Sequence, residues 1–105
     1  MWTLDDVVVL LEQHGQRATY GAVTGVVGGT PNGLMSRRPR CPRNSWVVAA
    51  NNNRRTGARR GYPTGYMAAE CHPNLMRRSH VINNRGELLR WLGNPKSARP
   101  NQALA

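Results

Sequence analysis

At 105 residues the chain has room for one domain with a single modest core, and not for two. Its formal charge of +10 comes from 15 basic residues against five acidic ones, and fourteen of the basic residues are Arg. Two cysteines are too few for a disulfide framework, and the longest apolar run, residues 7–11, is far short of a membrane span. No signal peptide is visible in Met1-Trp2-Thr3, which Asp5 and Asp6 follow, so the expected setting is a reducing cytoplasm, with no membrane.

Thr3 opens the first predicted helix, with Asp6 in the reciprocal capping position. Leu4, Val7, Val8 and Leu11 fall at i, i+3, i+4 and i+7 and give it one apolar face, and Gly15 stops it. Residues 17–35 then read as two short helices around a glycine corner. Thr19 is a suitable N-cap, since its hydroxyl can accept from an orphaned amide of the next turn. Tyr20, Val23, Val26 and Val27 share one helical face, and Gly28-Gly29 ends the helix. Thr30-Pro31 supplies a second cap and a first-turn proline. Helix, turn and helix make a helix-turn-helix candidate; the plain alternative is a helical hairpin inside a core.

Residues 36–44 hold two prolines and four arginines, which predicts an exposed basic connection. The clearest strand is residues 45–50, where Trp46, Val47 and Val48 are bounded by turn residues. Residues 51–65, rich in Asn, Gly and Arg, read as a long mobile loop with little to bury. His72-Pro73 begins another short helical piece, Val81-Ile82 can pair as a brief strand, and Asn84 caps a last helix with Glu87 in the capping-box position. Leu88, Leu89, Trp91 and Leu92 give that helix its buried side and Gly93 ends it. The sum is a small α+β, winged-helix-like domain over residues 1–93, mostly short helices with a helix-turn-helix and one short β-sheet, followed by a flexible tail over 94–105.

No Asp or Glu occurs between Gln13 and Ala69, a segment that carries nine Arg residues. Such a cluster on a small fold suits a polyanionic partner, most often nucleic acid. A solvated basic surface or a patch for an acidic protein would share the composition. Tyr62 and Tyr66 sit in two Gly-Tyr steps of the Arg-rich loop, where they can stack on bases or simply pack.

The order of motifs resembles the DNA-binding domain of the alkylguanine-DNA alkyltransferases and their inert alkyltransferase-like relatives. The words that carry it are Thr19-Tyr20-Gly21-Ala22-Val23, Gly29-Thr30-Pro31 and Val47-Val48, with echoes in Leu75-Met76, Val81-Ile82 and Leu88-Leu89-Arg90-Trp91. The resemblance runs from about Leu4 to Leu92. It implies that Tyr20 matches the tyrosine beside the phosphate of a nucleotide rotated out of the duplex; the alternative is a buried ring whose hydroxyl is hydrogen-bonded. The family's recognition helix is shortened here to residues 31–35 and lacks the Arg that fills the gap left by the flipped base, a part that Arg37 or Arg38 could take. Aligned on Val47-Val48, the reactive Pro-Cys-His-Arg word falls on Arg43, Asn44, Ser45 and Trp46. Asn44 therefore stands in the nucleophile's place and cannot accept an alkyl group as a thiolate does. The inert relatives usually carry Trp there, and Trp46 is two positions away.

Other chemistry finds little support. Cys41, Cys71, His72 and His80 lack the paired spacing of a zinc site, Ser45 has no triad partners in sight, the glycines form no phosphate loop, and the carboxylates are scattered. The expectation is a non-enzymatic protein without cofactor or metal that binds duplex DNA, intact or alkyl-damaged, through the helix-turn-helix and an Arg-rich surface. Its expected contacts are Tyr20, Thr30, Asn32, Arg37, Arg38, Arg40, Arg43, Asn44, Tyr62 and Tyr66. The alternatives are an interaction module whose basic face meets an acidic protein and a binder of single-stranded RNA or DNA that uses the Arg/Tyr loop.

Overall fold

The protein's structure, a computed structural model, describes residues 2–31 and 33–93. Asn32 and the tail over 94–105 lie outside the described residues. Helix α1, Leu4–His14, begins as the sequence dictates: Thr3 Oγ1 accepts from the Asp6 amide at 3.1 Å, and the Asp6 carboxylate accepts from the Thr3 amide at 3.2 Å. Gly15, at φ 62°, closes it in the left-handed conformation. Val7, Val8 and Leu11 are buried.

Strand β1, Arg17–Thr19, runs directly into helix α2, Tyr20–Val27. Thr19 does cap α2, its hydroxyl accepting from the Ala22 amide at 3.1 Å. The three residues before it were expected to lead into a helix; instead they form the centre of the sheet. Strands β2, Val47–Val48, and β3, Val81–Ile82, flank β1 in the order β2-β1-β3. Both pairings are parallel, with Ala18 opposite Val47 and Ile82. A strand of two or three residues shows almost no period of its own, and Arg17 hides the burial of β1 from any hydropathy pattern.

The mixed α+β class is the observed one. The sheet is parallel throughout, and the antiparallel pairing seen among the described residues is an isolated bridge, Asn53 with Ala58. The second helix of the expected helix-turn-helix is replaced by consecutive turns. The Gly33 and Leu34 amides donate to Thr30 O at 3.1 and 3.0 Å, Ser36 to Gly33 O at 3.3 Å and Arg38 to Met35 O at 3.1 Å. Gly33 inside the segment, Gly28-Gly29 before it and Pro39 after it leave too few residues to repay helix nucleation. Leu34 and Met35 still pack half-buried against the core. The piece expected at His72-Pro73 is likewise a turn, preceded by a single 3₁₀ turn at Ala68–Glu70.

Residues 51–65 are better tied than their composition suggests. The Ala49 amide donates to Tyr62 O and the Gly61 amide to Ala49 O, each at 2.9 Å, so the loop folds back beside β2. Asn52 Oδ1 accepts from the Arg60 amide and the Asn53 amide donates to Ala58 O, again at 2.9 Å. Its side chains remain largely exposed.

Helix α3, Arg85–Gly93, buries Leu88, Trp91 and Leu92. Asn84 Oδ1 accepts from the Glu87 amide at 2.8 Å, the expected cap. The Glu87 carboxylate reaches back to the Asn83 amide at 3.4 Å and also bonds to His80. Close approach of α2 and α3 depends on Gly25, where a Cβ would stand 2.8 Å from Arg85 Cβ, and Arg85 Nε donates to Gly25 O at 2.9 Å. The core centres on Trp46, Leu11, Ile82, Leu88 and the valines of α1, α2 and β2. No helix among the described residues is long and apolar enough to cross a membrane.

Candidate nucleic-acid interface

A cleft of about 710 Å³ opens where the first turn of α2, the turns after Pro31, the Arg-rich connection and the loop after β2 converge. Tyr20, Arg38, Arg40, Asn51 and Tyr66 are among its walls, and no Asp or Glu lines it. The parallel sheet explains the position. The chain leaving β1 starts α2 at one side of the cleft, and the chain leaving β2 supplies Ala49 to Asn53 at the other.

Tyr20 takes the packing alternative, at the wall of the cleft. Its ring packs half-buried against the core, and its hydroxyl accepts from the Thr64 amide at 2.9 Å at the cleft wall. Tyr66 also lines the cleft, its hydroxyl directed to Pro39 O at 3.4 Å. Burial pushes the Tyr66 pKa up to about 12, so the ring is neutral at any physiological pH.

The arginines divide into held and unheld groups. Arg38 Nε donates to Asn44 Oδ1 at 3.1 Å and Nη1 to the Asp5 carboxylate at 2.6 Å, so it pins the basic connection to α1 while lining the cleft. Arg40 is exposed, with its guanidinium against Gly65, where a Cβ would lie 3.3 Å from Nη2. Arg37 is exposed outside the cleft lining. Arg43 also lies outside it and approaches Glu12 only at 3.9 Å. Thr30 is exposed, and its hydroxyl is used on the Gly33 amide at 3.3 Å. Asn32 falls outside the described residues.

Asn44 is not a surface contact. It is 4 % exposed, and its amide donates to Pro39 O at 2.9 Å and to Cys41 Sγ at 3.4 Å while its oxygen receives Arg38. The residue in the nucleophile's place of the resembled motif is thus a clamp that folds the Arg-rich connection. Ser45 beside it is fully buried; its hydroxyl donates to Pro42 O at 2.7 Å and accepts from the His72 amide at 3.0 Å. Cys71 is half-buried, and burial, with Glu70 adding to it, pushes its thiol pKa up, away from the nucleophilic thiolate.

Tyr62 stands apart from Tyr20, in a second cleft of about 470 Å³ that shares Thr56 and Tyr66 with the first. The Arg59 guanidinium lies over its ring, 4.6 Å from the centroid.

Two features escaped the sequence reading. Asn51, Asn52 and Asn53 line the main cleft, although their run reads only as loop composition. Arg17, counted with the basic surface, is 6 % exposed: Nη1 donates to Gly61 O at 2.9 Å and Nη2 to Arg78 O at 2.6 Å, binding the loop after β2 to the segment before β3. Its place between a helix-ending Gly15 and a capping Thr19 was the available signal.

Among the described residues no three His, Cys, Asp or Glu side chains group as metal ligands. The chain matches no protein-family profile, no curated protein and no solved structure.

Proposed function

We propose that this chain is a non-enzymatic DNA-binding domain that holds a duplex along its Arg-rich face and receives one nucleotide, alkyl-damaged or intact, in the Tyr20–Tyr66 cleft. The observation that carries the reading is the cleft itself, whose volume of about 710 Å³ falls in the range of small-ligand sites and whose lining joins two phenols and two arginines without a carboxylate. Aromatic walls suit an unstacked base, and cationic rims suit its phosphates. Arg37, Arg40 and Arg43 supply phosphate contacts, and the turns after Pro31 take the groove-facing place of a recognition helix. The resemblance to the inert alkyltransferase-like proteins agrees with Asn44 as a clamp rather than a nucleophile. A cytoplasmic location goes with this reading, both cysteines being free thiols.

The test is a titration with plain duplex, single-stranded DNA and duplex bearing an alkylguanine, each at two salt concentrations. Duplex binding that weakens with salt and strengthens with the lesion is expected. Absence of binding to every DNA at low salt would reject the reading and favour an acidic protein as partner.

A further inference from the structure

The second cleft has a buried apolar residue in its lining, Leu75 at 3 % exposure, together with Pro63, Ala68 and Met76. It has no Asp or Glu in its lining either. Tyr66 and Thr56 belong to both clefts, so the two are neighbouring chambers with the Tyr66 ring between them. The Tyr66 hydroxyl is directed to Pro39 O. The Arg59–Tyr62 cation–π pair, with the guanidinium 4.6 Å from the ring centroid, also lines the second chamber.

The boundary carries a cation of its own. Arg40 lines the first chamber, and its guanidinium covers Gly65, which lines the second. Gly65 has φ 82°, and a Cβ there would meet that guanidinium at 3.3–3.6 Å, so glycine permits both the backbone turn and the Arg40 seat. Two chambers with aromatic walls, separated by one ring and bridged by one exposed guanidinium, match two consecutive nucleotides: a base in each and the linking phosphate at Arg40.

We propose that the second chamber is a binding site for a second unstacked base, so that the protein takes up a dinucleotide step rather than a single nucleotide. This rests on the nucleotide reading of the first cleft and extends it. Stacking of bases on aromatic side chains tolerates sequence, because every base has a π face, so the second site selects an extrahelical step rather than a particular base.

Fluorescence anisotropy with labelled duplexes tests it: one fully paired, one with a single extrahelical nucleotide, one with two, and one with two of which the second is abasic. The two-nucleotide bulge is expected to bind roughly 5- to 150-fold tighter than the one-nucleotide bulge, the gain that one more base–aromatic stack supplies. The abasic position should return affinity to the one-nucleotide level. Tyr62→Leu with Arg59→Ala should bring the ratio of two-nucleotide to one-nucleotide affinity close to one, any loss of the Arg59 charge weakening both bulges alike; the abasic duplex asks the same question without altering the protein. Equal affinity for one- and two-nucleotide bulges, or a gain that survives removal of the second base, overturns the second site alone. Failure to bind any of the four DNAs overturns it together with the nucleic-acid reading.

Discussion

Asn44 and Arg17 are polar groups withdrawn from water and Tyr66 is half-buried, and each makes a separate prediction. Asn44 spends its amide on Pro39 O, Cys41 Sγ and Arg38 and offers no nucleophile. Incubation with alkylguanine DNA is therefore expected to leave the intact protein mass unchanged; a stoichiometric adduct on Cys41 or Cys71 would show the assignment to be wrong. Arg17 holds the carbonyls of Gly61 and Arg78 from a buried position. Arg17→Met strands those acceptors and should cost about 2–4 kcal/mol in denaturant unfolding, far beyond the ~0.5 kcal/mol of an exposed arginine such as Arg37. Tyr66 has a pKa raised to about 12 by burial, so the folded state holds its proton after the unfolded state has lost it. Between pH 10 and about 12 the unfolded chain binds fewer protons than the native one, and stability falls as pH rises through that window. An absorbance titration should show one phenol ionising near 12 that Tyr66→Phe removes, and the Phe variant should lose the corresponding part of the alkaline destabilisation.

Among the elements, the contact of α2 with α3 is controlled by one missing side chain. Gly25→Ala brings a methyl to 2.8 Å from Arg85 Cβ on a helix that cannot yield without losing the Arg85–Gly25 bond, and should destabilise by ~1–3 kcal/mol. Gly21→Ala, in the same helix, meets nothing within 4 Å and should be neutral or stabilise by up to ~1 kcal/mol, from backbone entropy alone. Paired thermal melts compare them, and equal losses would mean that helix packing is not what Gly25 serves. This level also shows what local sequence can and cannot announce. The ends of α1, the Thr19 cap and the Asn84 cap were legible because capping is decided within three or four residues. Strand β1 was not, because Arg17–Thr19 becomes a strand only when Val47 and Val81 arrive from distant parts of the chain. The helix expected after Pro31 failed for the opposite reason: its cap signals were real, since Thr30 does accept from Gly33, but nothing beyond that first turn sustained a helix. Tyr20, Arg38, Arg40 and Tyr66 were picked from composition and resemblance and do share one cleft, whereas the burial of Asn44 and the distance of Tyr62 from that cleft depend on how the loops return.

Taken as a whole, the molecule divides its arginines into those tied into the fold and those left exposed, and a binding experiment can separate them. Arg17 and Arg38 are tied into the fold through Gly61, Arg78, Asn44 and Asp5. Arg37 and Arg40 are exposed and carry no carboxylate partner among the described residues. If those two meet DNA phosphates, each releases condensed counterions, and the slope of log affinity against log salt changes by about 0.9 per neutralised phosphate. Arg37→Ala with Arg40→Ala should flatten the slope by roughly 1.8 and weaken every duplex sequence alike, because phosphate contacts position the protein without reading bases. The unfolding midpoint should hardly move, exposed charges being worth within ~0.5 kcal/mol. Arg38→Ala is the control of opposite character: it removes the bonds to Asn44 and Asp5, so it should lower the midpoint and change the salt slope less than either exposed arginine does. An unaltered slope in the double variant, with its midpoint intact, would mean that the acid-free arginine face does not lie on DNA, and its positive charge would then have to be matched to the carboxylates of a protein.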